Sequence, residues 1–479
     1  MLLLLFYHST GFLARGSWPV AQHRTERRSS AAVMQETVDV QAVAEAPPQL
    51  PPGLAEDPLF ELDASVQSWK EFQRDTPATA TENLQEALTT AASIATKGVD
   101  GSTYALAHGV RTGYFATTAV LGTLAYELHE LVRGSGRASG DGAASLTSVA
   151  GFGNMGGLGI DGPVATRLLL EAALCFEEDY RRIEEGQFNL PWDMYAKGHR
   201  QRTPRFAARQ TARFVREAIG TLGRRARGDA EDIGIWMDAG PGLYPEYYKN
   251  NFHFQTDGWM SAQSAQVYET STETLFLGRQ DSMQRLSLPP LRAVATANGG
   301  KPRILEVACG TGRFATFVRD NHPSAEMTCV DLSPFYLDAA RDNDDYWRKT
   351  AFPDKEARPP AARFVQAAAE ALPFEAASYD AVVCVYLFHE MPEEARAAAA
   401  AEMARVLAPG GVLVLTDSMQ RGDRPSLDGR LGNFAKLNEP HYENYIDTFL
   451  PALFTASGLE CGRKSVSSST KCLSFRKPA

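Results

Sequence analysis

Arg303-Ile304-Leu305-Glu306-Val307-Ala308-Cys309-Gly310-Thr311-Gly312-Arg313-Phe314 is the stretch that decides the architecture. Its apolar run (Ile304, Leu305, Val307) meets a small-residue turn and then a helical pattern with Phe314, Phe317 and Val318 on one side, so it reads as strand, tight loop, helix. Gly310 and Gly312 let the backbone bend sharply and approach a ligand closely, because neither carries a Cβ. Residues 310–315 also fit the Gly-x-Gly-x-x-Gly/Ala dinucleotide fingerprint, so the loop alone does not name its ligand.

Charge helps to decide. A pyrophosphate wants amide donors and positive potential at a helix start, and Glu306 at the strand's end would repel it. S-adenosylmethionine carries a sulfonium and an ammonium, for which a carboxylate beside the loop is attractive. Asp331 closes a second apolar run (327–330) nineteen residues past Gly312, where a carboxylate can accept both ribose hydroxyls. Dinucleotide folds share that feature.

The next hundred residues discriminate between the two ligands. Phe364-Val365-Gln366 leads to Ala369-Glu370-Ala371-Leu372-Pro373-Phe374, then to a strand over 379–386, then to Phe388-His389-Glu390-Met391-Pro392. After a helix comes Leu407-Ala408-Pro409-Gly410-Gly411-Val412-Leu413-Val414-Leu415-Thr416-Asp417. With four motifs in order over 304–418, the chain resembles the class I S-adenosylmethionine-dependent methyltransferases, nearest to the UbiE-like and related small-molecule methyltransferases.

The resemblance implies an α/β fold: a Rossmann-like, seven-stranded, doubly wound class I methyltransferase domain over 239–479, with ligands at the carboxyl ends of the strands. An all-α N-terminal domain over 56–238 precedes it, and residues 1–55 are a targeting segment and linker. S-adenosyl-L-methionine is the implied cofactor. Glu306 and the backbone of Ala308, Cys309, Gly310, Thr311 and Gly312 would surround its methionine part, Asp331 its ribose, and Leu332 its adenine. Ala369 and Glu370 would present backbone amides to the adenine edge, and Val385 closes the fourth strand beside the cofactor. Ala368 stands where the family usually has Asp or Asn for the adenine amino group, with Gln366 or a water as substitutes, and Ala308 replaces the commoner first glycine.

Methyl transfer from a sulfonium is an in-line displacement in which the protein aligns the nucleophile and excludes water, so no metal-ligating set is expected. A base is needed only if the acceptor must lose a proton. His389 is the first general-base candidate, with Glu390 or Tyr386 assisting, since these residues follow the fourth strand where acceptor and methyl would meet. The alternative is that His389 caps the helix after Pro392 or packs against a covering segment.

The formal charge of -10 argues against a general nucleic-acid binder, although a local basic groove stays open. The six cysteines (Cys175, Cys309, Cys329, Cys384, Cys461, Cys472) show no C-x-x-C pair and read as reduced, buried thiols without a zinc site. No stretch reaches the ~18 apolar residues of a membrane span; the best, 113–128, is flanked by His108, Arg111 and Glu127 and reads as a packed or membrane-surface helix.

Residues 1–34 begin Met1-Leu2-Leu3-Leu4-Leu5-Phe6 and continue Arg/Ser-rich with Glu26 as the one acid, which resembles a bipartite transit leader. A plastid (chloroplast) address is expected first and a mitochondrion second; the same composition also suits an unprocessed, disordered terminus. Residues 35–55, with Pro47, Pro48, Pro51 and Pro52, read as linker. Residues 60–133 have a helical pattern in which Leu84, Leu88 and Ile94 recur at helical spacing. Residues 134–162 contain a second fingerprint match, 151–156, without a preceding strand, and read as a loop.

A helix over 163–185 turns Leu168, Leu169, Ala172, Cys175, Phe176, Tyr180 and Ile183 inward. Another over 206–227 has Phe214, Val215, Ile219 and Leu222 on one side and Arg209, Arg213, Arg216 and Arg224 on others, a solvated face or a dock for an acidic partner or lipid headgroup. The aromatic stretch 244–259, with a helix over 261–276, falls where many class I methyltransferases cover cofactor and substrate. Together with the region of Trp192, it resembles plastid-associated methyltransferase-like proteins of plants, algae and cyanobacteria. A late cluster, 438–445, offers Glu439, His441 and Tyr442 either to the acceptor or to a surface turn before a helix over 445–457.

The expected function is methyl transfer to a small, partly apolar acceptor such as a quinone, phenolic, lipid or pigment intermediate. The alternative is a non-catalytic methyltransferase-fold assembly or scaffolding factor that holds a protein partner through its helical domain. Peripheral membrane contact is left open.

Overall fold

The computed structural model describes residues 57–72, 79–133, 162–228 and 244–479. The leader, the linker and the second fingerprint match fall outside them.

At the centre lies one twisted sheet built from β2 (Arg303–Val307), β3 (Glu326–Asp331), β4 (Arg363–Gln366), β5 (Tyr379–Val385), β6 (Leu407–Ser418), β7 (Glu460–Ser467) and β8 (Thr470–Arg476). The order β7-β8-β6-β5-β2-β3-β4 is parallel except where β8 runs against both neighbours. Strands buried on both faces must be apolar throughout, and Ala381, Val382, Val383 and Cys384 are all 0% exposed. The strand order reverses between β2 and β5, the position where open α/β sheets take ligands in a crevice at the carboxyl ends of their strands.

An eighth strand was not expected. Glu61 and Leu62 form β1, which pairs in parallel with β7, and Asp63 N–H continues the ladder to Lys464 O at 2.9 Å. The seven-stranded reading holds for the C-terminal half, and the chain's own N-terminal region covers the edge that β7 would otherwise expose. Asp63 then caps α1 (Ala64–Glu71) by accepting from Ser65 N–H, and Val66 and Trp69 of that helix pack with Cys175, Met283 and Val466.

Three long helices complete this half: α2 (Ala80–Ala95), α3 (Gly98–Val132) and α4 (Gly162–Glu184). α2 corrects the apolar reading, because it buries Asn83, Ala87, Thr90 and Ile94 while Leu88 is 62% exposed and Leu84 is also exposed. In α4, Leu168, Ala172, Cys175, Phe176 and Tyr180 are buried as expected, whereas Leu169 and Ile183 are half-buried. The same helix buries charges that the apolar pattern hides. Asp179 meets Arg285 at 2.5 Å and Tyr104 at 2.5 Å, and Glu171 meets Arg424 at 3.1 Å. Buried ions persist only when paired.

Next comes α5 (Pro204–Arg227), with proline in its first turn and Gly228 as a left-handed cap at φ +67°. Its expected inner residues Phe214, Val215, Ile219 and Leu222 are half-buried, while Glu217 and Arg224 are buried. The remaining helices that matter here are α6 (Ala262–Leu275), α7 (Gln280–Gln284), α8 (Leu288–Ala297), α9 (Arg313–Asn321), α10 (Pro334–Ala351), α11 (Glu393–Val406), α12 (Tyr442–Asp447) and α13 (Leu450–Ala456). The single helix expected over 445–457 is two, broken at Thr448–Phe449 ahead of Pro451. Pro409, Gly410 and Gly411 lie within β6 as an irregularity, since Tyr379 pairs with Leu407 but Ala381 with Val412.

Candidate active site

β2 ends at Val307, and the backbone turns through Ala308 (φ +58°), Gly310 (φ +54°) and Gly312 (φ +72°) into α9. Two glycines there do different work. A Cβ on Gly312 would stand 2.9 Å from Ala340 Cβ, so glycine lets α9 lie against α10. A Cβ on Gly310 would meet nothing within 4 Å, so that side of the loop faces open space. Ala308 holds a left-handed conformation that costs an L-residue about 1–2 kcal/mol.

Asp331 at the end of β3 ties the loop to the next strand, accepting from Gly310 N–H at 2.8 Å and Ser333 N–H at 2.9 Å. Burial pushes its carboxyl up to about 6 against those amides. Glu306 is 2% exposed, and its Oε2 has no hydrogen-bond partner among the described residues. Burial, and then the Asp331 charge, raises Glu306 to about 8. Two buried carboxyls beside an open, glycine-lined loop make a site for a ligand that brings positive charge and hydroxyl donors. A cationic amino-acid group with a ribose fits that donor set; a pyrophosphate does not.

The predicted loop residues are tied to their surroundings. Cys309 N–H bonds Val330 O at 2.9 Å, and Thr311 Oγ1 donates to Glu269 Oε1 at 3.0 Å. Asn343 closes the same knot on Glu269 and on Thr311 O, at 2.8 Å each. Arg313 runs into a buried ion cluster with Asp281 and Asp193, and Arg111 of α3 joins it through Glu273 at 2.6 Å and Asp281 at 2.7 Å. The helical half thus clamps the start of α9.

On the expected adenine side, Leu332 packs beside an aromatic cluster of Tyr244, Tyr248, Phe252, Trp259, Tyr268 and Tyr336. The 244–259 stretch therefore covers this side of the crevice, and Ser333 Oγ pins it by donating to Trp259 O at 2.5 Å. Gln366 is already engaged, donating to Leu332 O at 2.9 Å and Tyr244 Oη at 3.3 Å. Ala369 is buried, and Glu370 Oε1 accepts from Tyr247 at 2.5 Å.

Past β5, Val385 is buried in the core and Tyr386 adopts φ +58°. The Tyr386 hydroxyl lies 2.7 Å from Thr470 Oγ1 at the start of β8. His389 Nδ1 lies 2.6 Å from Asp417 Oδ1, and Asp417 also accepts from Phe388 N–H at 2.7 Å and Ser418 N–H at 2.6 Å. His389 is therefore no cap for α11, whose N-terminal Pro392 carries no side-chain bond. Burial works against its charge, but Asp417 outweighs it and the imidazole is raised to about 10. Its Nε2 faces Glu390 Oε1 at 3.9 Å. Burial lifts Glu390 to about 7, with the His389 and His253 charges holding it lower and Glu439 and Asp417 raising it.

The late cluster closes this end. Glu439 is fully buried with Oε1 3.0 Å from His253 Nδ1, Tyr442 and Tyr445 stand edge-on to His389 at 6.1 Å, and His441 faces Tyr247 instead. Asp417, Glu269 and Asn343 were not singled out from the sequence. Asp417 had a signal, because it ends its strand's apolar run just as Asp331 does.

This sheet order, the acidic residue ending β3 and the glycine loop after β2 are those of a class I S-adenosyl-L-methionine-dependent methyltransferase fold, and the donor set around Glu306 and Asp331 fits S-adenosyl-L-methionine as cofactor. Residues 304–411 match the family described as "Methyltransferase domain". Among curated relatives, demethylmenaquinone methyltransferase of Deinococcus radiodurans is 34% identical over 33% of this chain and 58% of its own. That of Thermus thermophilus is 39% identical over 26% of this chain and 52% of its own, so the chain spans little more than half of either. A solved structure similar to the chain, human N-acetylserotonin methyltransferase in complex with SAM, aligns over 56% of this chain and 71% of its own at 14% identity and a TM-score of 0.35.

Proposed function

We propose that the chain transfers a methyl group from S-adenosyl-L-methionine to a small, partly apolar acceptor bearing an ionisable hydroxyl, a quinol or phenolic before a lipid or pigment intermediate. The carrying observation is the row Asp417, His389, Glu390 at the carboxyl ends of β5 and β6, walled by Tyr442 and Tyr445. Aromatic walls suit a flat acceptor, and a carboxyl raised to about 7 can take its proton near neutrality. The two demethylmenaquinone methyltransferases act, by name, on a quinone-type molecule, which puts a quinol first among these acceptors.

Glu306 and Asp331 would hold the cofactor, with Leu332 and the 244–259 cover excluding water. When bound, the cofactor supplies an electrophilic methyl group. Glu390 is the base in this reading. His389, kept protonated by Asp417, lowers the Glu390 carboxyl and offers an N–H to the oxygen losing its proton. The address we propose is a plastid, on the Arg/Ser-rich composition of residues 1–34.

The test is transfer of labelled methyl from the cofactor to a panel of hydroquinones, phenols and fatty acids. The reading expects label in hydroxylated aromatics and at least a hundredfold less with Glu390→Gln. Cofactor binding with no label in any hydroxylated aromatic would overturn it.

A further inference from the structure

α3 buries Tyr104, His108, Phe115, Thr118 and Gly122, and its opposite face exposes large apolar side chains. The fully exposed positions from Ser102 to Val132 are uncharged, and the acids of the helix lie towards its ends, Asp100 exposed at the start and Glu127 and Glu130 half-buried near the close. Leu106, Val110, Leu128 and Val132 are 70%, 65%, 61% and 80% exposed, and with Leu121 they recur at near-multiples of the 3.6-residue turn, so they form one stripe. An apolar stripe of that length is an interaction surface rather than scattered surface leucines.

What flanks it identifies the partner. α5 lies along α3, with Phe214 and Ala218 against Gly122 and the Tyr114 hydroxyl 3.1 Å from Thr211 Oγ1. The exposed positions of α5 are Pro, Ala and Arg only, among them Arg205, Arg209 and Arg216. Its one acid, Glu217, is buried. A chain with a formal charge of -10 thus presents here an apolar stripe beside a purely cationic ridge.

We propose that the α3 and α5 faces dock on the surface of an anionic lipid bilayer, apolar side chains entering the headgroup boundary and arginines contacting lipid phosphates. No described helix is long and apolar enough to cross a membrane, so this contact lies on the surface. Docking goes beyond the methyl-transfer reading and does not depend on it.

The test is flotation of the full chain with phosphatidylcholine vesicles, with and without phosphatidylglycerol, at low and high salt. Binding to the anionic vesicles, weakened by salt, is expected. The triple change Arg205→Gln, Arg209→Gln, Arg216→Gln lowers affinity roughly a hundredfold, at about 1 kcal/mol per arginine. Leu106→Glu with Val110→Glu abolishes binding while cofactor binding and the melting temperature are kept. Failure of the folded chain to float, or equal flotation by both variants, overturns the proposal. So does a dimer in gel filtration that Leu106→Glu splits, which would mean that a second copy covers the face.

Discussion

His389 Nδ1 and Asp417 Oδ1 stand 2.6 Å apart, joining the turn after β5 to the end of β6. The pair is buried and Asp417 is fully enclosed, so the imidazole gains a proton it would not hold in water. A raised histidine contributes stability that is full below about 6.5 and is lost as pH rises through about 10. Asp417→Asn should remove that contribution, at a cost of about 3–5 kcal/mol measured by denaturant titration at pH 7, and narrow the gap to wild type above pH 10.

Glu390 should set the acid limb of the pH–rate profile. Its carboxyl is raised to about 7, so activity rises as pH passes that value. His389 favours the Glu390 carboxylate, so His389→Gln removes a stabilising cation and should move the limb to higher pH. A limb that stays in place in His389→Gln would mean that another group titrates.

Glu306 carries a trade-off between binding and stability. Its folded carboxyl is raised to about 8, above the ordinary value of 4.5, so the free protein loses stability as pH climbs between them. Glu306→Gln should raise the melting temperature of the free protein above pH 8 and lose cofactor affinity. In the wild type the cofactor should bind with release of a proton, read from heats in buffers of different ionisation enthalpy.

Ala308 and Gly312 both hold positive φ but should respond oppositely. Ala308→Gly relieves a left-handed alanine and should stabilise by about 1 kcal/mol. Gly312→Ala adds strain at φ +72° and pushes a methyl to 2.9 Å from Ala340 Cβ, so loss of stability by more than about 1 kcal/mol is expected in the same titration.

The core of the fold was legible because β2, β3, β5 and β6 carry apolar runs, and β2, β3 and β5 each lead on to a helix. β1 was not, since two residues, Glu61 and Leu62, carry no periodicity and owe their form to β7. In α2 the Ala/Thr-rich face packs more closely than leucines would, so the buried stripe runs through Asn83 and Ala87. The buried charges of α4 read as surface because their partners, Arg285 and Arg424, lie far along the chain. Glu306, Gly310, Gly312 and Asp331 were visible because one loop gathers them. The His389–Asp417 pair needed two strand ends to meet, which no local pattern states.

The most direct measurement is isothermal titration of the full chain with S-adenosyl-L-methionine and S-adenosylhomocysteine, repeated on Asp331→Ala and Glu306→Gln. The account expects micromolar binding, about -8 kcal/mol, lost in Asp331→Ala and weakened at least tenfold in Glu306→Gln. A folded wild type that binds neither ligand, or an Asp331→Ala that binds both as well as wild type, would contradict it.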